Sequence, residues 1–144
     1  MQQEGSQASG KVFVARQPIF DRERRLYAYE LLFRTGTSNG FPDIDGDIAT
    51  TSLLSSTFFT VGVEKIAAFI NFTEELIIKN TPQLFPKERL VVELLEDVTP
   101  SDDVLAACRQ LKEKAYLFAL DDFVYSSHFD ELLTIADIIK LDFR

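Results

Sequence analysis

From Lys11 onward, the hydrophobic positions of this chain alternate between strand-like and helix-like spacing. KVFVARQPIF and LYAYELLFRT are apolar segments on either side of the charged turn DRERR, a pattern that predicts an antiparallel strand pair. Residues 35–46, rich in Gly, Ser, Asn, Pro and Asp, read as a loop. Ile48, Leu54 and Phe58 then recur at near-helical spacing, predicting a helix over 47–61 that stops at Gly62. Beyond it the strand AAFINFT precedes the helix EELIIKN, which Thr73 can cap, and the strand RLVVELL precedes a helix opened by Thr99, Pro100 and Asp102. The strand AYLFALDDF, a short helix through Ser126 to Ile135 and the strand ADIIKLDF complete the pattern. Strands that are apolar throughout and alternate with helices imply a parallel sheet covered by helices, either doubly wound or closed into a barrel.

The first ten residues, MQQEGSQASG, are polar and aperiodic. They are expected to be a disordered tail or a cloning remnant, leaving 11–144 as one domain. With 144 residues and 46% hydrophobic content the chain can bury a real core. Its longest apolar runs fall well short of the roughly 20 residues a membrane-spanning helix needs. No secretory leader pattern is present at the N-terminus, so the expectation is a cytoplasmic protein with no membrane contact. A single cysteine, Cys108, excludes an internal disulfide and a thiolate-rich zinc site, and its place in DVLAACRQLKEK reads as packing. The formal net charge of −8 argues against binding a nucleic-acid polymer, since phosphate backbones reward clustered Lys and Arg. An acidic chain can still take a phosphate ligand by way of divalent cations or a few placed arginines.

Candidate chemistry lies in the polar residues that interrupt or end the strands. These are Glu30 in YELLF, Asn71 in FINFT, Glu93 in VVELL, Asp121 and Asp122 in FALDD, and Lys140 and Asp142 in IIKLD. Taken singly, each reads as a salt-bridge partner or an exposed strand end. Burial of a carboxylate on strand after strand, however, requires shared positive charge. On adjacent parallel strands these side chains converge at one end of the sheet. Oxygen ligands of this kind suit hard cations such as Mg²⁺ or Mn²⁺, and a pair of such ions can stabilise the attacking and leaving oxygens of a phosphodiester. No glycine-rich nucleotide loop follows any strand. His128, the one histidine, lies in a polar stretch and reads as a solvated loop residue. Phe13, Phe20, Phe58, Phe59, Phe69 and Phe118 read as core, and the pairs Glu74 and Glu75, Asp102 and Asp103 as first-turn acids of helices.

In order and spacing, the segments ARQPIFD, YELLFR, INFT, VVELLE, ALDDF and IIKLDF resemble the successive motifs of the EAL-domain family, from Val12 to Phe143. Members of that family hydrolyse cyclic di-GMP to the linear dinucleotide. The wording is nearest to the subgroup in which an EAL-like domain precedes an HDOD domain. The resemblance implies a partial (β/α) barrel of the triosephosphate-isomerase type with an antiparallel first strand and about six strands present. It implies Glu30, Asn71, Glu93, Asp121 and Asp122 as ligands of Mg²⁺ or Mn²⁺, with Glu30 and Lys140 as the catalytic residues, the lysine positioning the water. Gln17, Arg34 and Asp142 match ligand-binding positions.

The chain departs from the family pattern in three places. Leu31 stands where alanine is usual, and Phe123, Val124, Tyr125 and Ser126 stand where active members read Phe-Gly-Thr-Gly. A glutamate on the seventh strand and a glutamine on the eighth are expected beyond Arg144. These departures predict a signalling module that is non-catalytic as this chain, binding a ligand or a partner such as an HDOD domain, and self-associating through open barrel edges. The competing expectation is an active phosphodiesterase when the full-length domain is present.

Overall fold

The computed structural model describes residues 12–35, 38–39, 58 and 66–142. The tail 1–10, the loop over 35–46 and the helix over 47–61 therefore fall largely outside the described residues, as do the side chains of Phe13, Arg34 and Phe59.

β1 (Val12–Phe20) and β2 (Leu26–Thr35) form the expected antiparallel hairpin, with Gln17 opposite Glu30, and the two-residue β3 (Ser38–Asn39) also pairs with β2. β4 (Ala67–Asn71), β5 (Leu90–Leu94), β6 (Leu117–Leu120) and β7 (Ile138–Ile139) follow in parallel, giving the order β1-β2-β4-β5-β6-β7. Between them lie α1 (Glu74–Ile78), α2 (Asp102–Glu113) and α3 (Asp130–Ile135), with 3₁₀ turns at Thr81–Leu84 and Ser127–Phe129. The sheet is a mixed half-barrel, and among the described residues it does not close.

Because side chains alternate along a strand, β4, β5 and β6 each feed two different cores. Ile70, Val92, Leu94, Phe118 and Leu120 pack against the helices together with Leu76, Val104, Leu105, Cys108, Leu111 and Leu132. Ala28, Phe69, Val91 and Ala119 form a separate small cluster on the other face, with Ile138 packed against it. Phe58, Phe69 and Phe118 are buried as expected, but Phe20 is 58% exposed. It ends β1, an edge strand of the sheet, where only one neighbour can cover it.

Thr73 caps α1 by accepting a hydrogen bond from Leu76 N at 3.3 Å. α2 is capped differently from the expectation. Ser101 Oγ, not Thr99, accepts from Val104 N at 3.3 Å, so Pro100 lies before the cap. Thr99 is engaged elsewhere, its amide donating to Glu74 Oε1 and its carbonyl accepting from Ser101 N. Cys108 is fully buried under α2, and burial pushes its thiol up to about 12. Thiol reagents at pH 8 should therefore modify the native chain at least about a hundredfold more slowly than the urea-unfolded chain. Equal rates would mean that this helix face is not packed.

Candidate functional site

The inward face of the sheet is layered. Two residues beyond each small-cluster residue, on the same face, stands a polar one: Glu30 beyond Ala28, Asn71 beyond Phe69, Glu93 beyond Val91, Asp121 beyond Ala119, and Lys140 beyond Ile138. The period of two along a strand puts an apolar floor beneath a polar mouth at the C-terminal ends of the parallel strands.

At that mouth, carboxylate oxygens of Glu30, Glu93 and Asp121 lie within 4.8 Å of one another. Lys140 Nζ sits among them, 2.5 Å from Glu93 Oε1, 3.0 Å from Glu30 Oε2 and 3.0 Å from Asp121 Oδ1. Glu93 is wholly buried near the C-terminal end of β5, while Glu30 and Asp121 are partly buried. Three carboxylates facing one ammonium leave the group short of positive charge. Burial pushes the Glu93 carboxyl up to about 7, against the lowering effect of the Lys140 hydrogen bond and charge. For Lys140, burial works against the ammonium, yet the bonds and charges of Glu93, Asp121 and Glu30 hold its pKa above the ordinary lysine value. Burial is thus the main cause of the Glu93 shift, and the three carboxylates are the cause of the Lys140 shift.

Two buried oxygens at this mouth, Glu93 Oε2 and Asn71 Oδ1, have no hydrogen-bond partner among the described residues. Orphaned buried acceptors are costly, and acceptors beside a net-negative cluster match the donor set of a hard divalent cation. The residues present therefore fit such an ion.

The remaining candidates are placed differently. Asp122 has φ 49°, is exposed, and stands outside the three-carboxylate group. Gln17 is exposed and lies directly opposite Glu30 in the hairpin register, which puts both residues on one face. Arg34 lies further along β2, opposite Phe13. Asp142 is exposed, two residues past Lys140. Leu31 is 1% exposed on the helix-facing side, so the residue that replaces the usual alanine touches the core and not the mouth.

After Asp122 the loop is anchored by Phe123. Its ring meets Phe129 edge-on at 5.7 Å and its amide donates to Lys140 O at 3.3 Å. Val124 and Tyr125 are exposed, and the Tyr125 hydroxyl donates to Asp130 Oδ1 at 3.1 Å. His128 is exposed in the 3₁₀ turn as expected. One residue that the strand pattern did not single out is Asp137. Its carboxylate accepts from Lys112 Nζ and from Phe118 N at the foot of β7. No helix among the described residues is long and apolar enough to cross a membrane.

No protein-family model matches the chain. Among curated proteins it is 42% identical over 142 residues to the uncharacterized protein YuxH of Bacillus subtilis, covering 92% of this chain and 35% of that protein. It is also 42% identical over 135 residues to the cyclic di-GMP phosphodiesterase CdgJ of Vibrio cholerae, covering 90% of this chain and 31% of that one. The chain thus spans about a third of the length of these curated relatives. Among solved structures, Klebsiella pneumoniae BlrP1 in its complex with calcium and cyclic di-GMP matches with a TM-score of 0.68 at 18% identity, over 91% of this chain and 40% of that chain. Other matched folds are described as EAL-domain proteins.

Proposed function

We propose, because this chain belongs to the EAL-domain family, that its carboxylate mouth holds a divalent cation, Mg²⁺ or Mn²⁺, and takes a phosphodiester of cyclic di-GMP in signalling. The observation that carries this reading is the convergence of Glu30, Glu93 and Asp121 around Lys140, with Glu93 Oε2 and Asn71 Oδ1 left without partners. Glu30, Asn71, Glu93 and Asp121 would hold the ion, which when bound supplies positive charge to phosphate oxygens and acidifies a water. Lys140 keeps its proton at Nζ, where it can orient that water or offset charge developing on the phosphate. Gln17, across from Glu30, Arg34 further along β2 and Asp142 past Lys140 are proposed as contacts to the dinucleotide.

Within this reading the chain binds the nucleotide with little or no turnover and acts as a ligand-responsive module. Exposed Asp122, outside the three-carboxylate group, supports this, and so does a following loop that presents Val124 and Tyr125 to solvent. We extend the proposal to an HDOD-type or other signalling partner and to self-association of the chain. Exposed Ile139 and Leu141 beside the β7 edge favour such contacts. The competing reading, hydrolysis to the linear dinucleotide by a longer chain, is favoured by Lys140 lying among the three acids.

Calorimetric titration with cyclic di-GMP, with and without Mn²⁺, followed by chromatography of the mixture, tests both readings. Mn²⁺-dependent binding without linear product is the expected result. Linear product would replace the low-turnover reading with the enzyme reading, failure of this chain to bind with Mn²⁺ present would overturn the binding reading, and the same assay on the full-length domain decides the enzyme reading.

A further inference from the structure

Lys140 reaches the mouth from a strand with little to hold it. β7 is two residues long and pairs with β6 only through Ala119 with Ile138 and Leu120 with Ile139. So short a ladder specifies register weakly, and a slip of one residue would turn its side chains to the opposite face. The contacts of Lys140 with Glu30, Glu93 and Asp121 exist only in the present register.

Asp137, immediately before β7, supplies what the ladder lacks. Its amide donates to Phe118 O at 2.9 Å, and its carboxylate Oδ2 accepts from Phe118 N at 2.9 Å. Backbone and side chain of one residue thus grip both polar groups of a residue that is almost wholly buried. Lys112 of α2 donates to both carboxylate oxygens, at 2.7 and 2.8 Å, tying the grip to the helix. At the far end, Lys140 N donates to Leu120 O at 2.8 Å.

We propose that Asp137 is a positioning residue for the mouth: by clamping Phe118 it holds β7 in the one register that aims Lys140 at the three carboxylates. This deepens the proposed function by naming what aims the ammonium. It rests on that function only for the use made of Lys140, since the clamp needs neither cation nor nucleotide.

The test is limited acylation of the chain's lysines with an N-hydroxysuccinimide ester, read peptide by peptide by mass spectrometry, with exposed Lys87 as internal standard. In the unaltered chain Lys140 Nζ is held among the three carboxylates and reacts slowly. Asp137→Ala should raise Lys140 acylation about tenfold relative to Lys87, as local opening of β7 becomes common. Asp137→Asn keeps an oxygen for Phe118 N without the charge, and should protect Lys140 nearly as well as the native residue. Asp137→Glu keeps the charge and a partner for Lys112 but carries its carboxylate one methylene out of register, and should label fast. If Asp137→Ala does not fold, Asp137→Glu decides. Native-like protection in either folded variant would overturn the proposal, as would fast labelling of Asp137→Asn. Because no cation is added, failure of the Mn²⁺ and cyclic di-GMP titration leaves this result independent.

Discussion

Lys140→Met should destabilise the cation-free chain by about 3 kcal/mol at pH 8, because it leaves the buried Glu93 carboxylate beside two further acids with no counter-charge. The corresponding fall in melting temperature is roughly 10 °C. The loss should depend on pH with a definite sign. Burial already holds the Glu93 carboxyl at about 7, above its ordinary 4.5, and removing the ammonium raises it further. A carboxyl with a raised folded-state pKa imposes no penalty below its unfolded value, where both states are protonated. The penalty grows as pH rises from about 4.5 through the folded value. The variant should therefore approach the native chain in stability near pH 4.5 and fall furthest behind it above pH 8. Thermal melts across this range measure the effect. Equal melting temperatures at pH 8 would show that Lys140 does not neutralise Glu93.

Glu93→Gln should do the reverse, removing the binding site while sparing the fold. The substitution keeps the shape of the side chain and an acceptor for Lys140 but removes a buried charge whose desolvation is unfavourable. Melting temperature at pH 8 without metal should be unchanged or higher. Mn²⁺ affinity, read by paramagnetic resonance of the free ion, should fall by about a hundredfold or more, since even loss of an outer partner of a metal ligand costs 10 to 100-fold. A variant that binds Mn²⁺ like the native chain would remove Glu93 from the ligand set. Opposite effects of neighbouring substitutions on stability and binding would mark this cluster as a site maintained at some cost to the fold.

Much of this was legible in the residues, for identifiable reasons. AAFIN and LVVEL are apolar but for one residue each because both faces are covered, and Glu93 stands out there because a buried acid has no place in such a run without a partner. Counting by twos from the small inward residues Ala28, Val91 and Ala119 leads to Glu30, Glu93 and Asp121. Asp122, read together with Asp121 as a strand-end acid, lies two residues past β6 in left-handed backbone, where counting by twos no longer applies. Phe20 misleads because apolar character does not reveal that β1 is an edge. The α2 cap misleads because Thr99 and Ser101 are both able to cap, and it is Ser101 that accepts from Val104 N while the Thr99 amide bonds Glu74, twenty-five residues earlier. Asp137 is invisible to any local pattern, since its meaning lies in the Phe118 amide on the preceding strand.

The most direct measurement is anomalous diffraction from crystals of this chain soaked in Mn²⁺. One manganese peak within bonding distance of oxygens from Glu93, Glu30 and Asp121, with Asn71 Oδ1 turned toward it, is the expected result. A crystal with its mouth open to solvent that shows no peak there, or peaks only on surface acids, would contradict the assignment of these carboxylates to a cation.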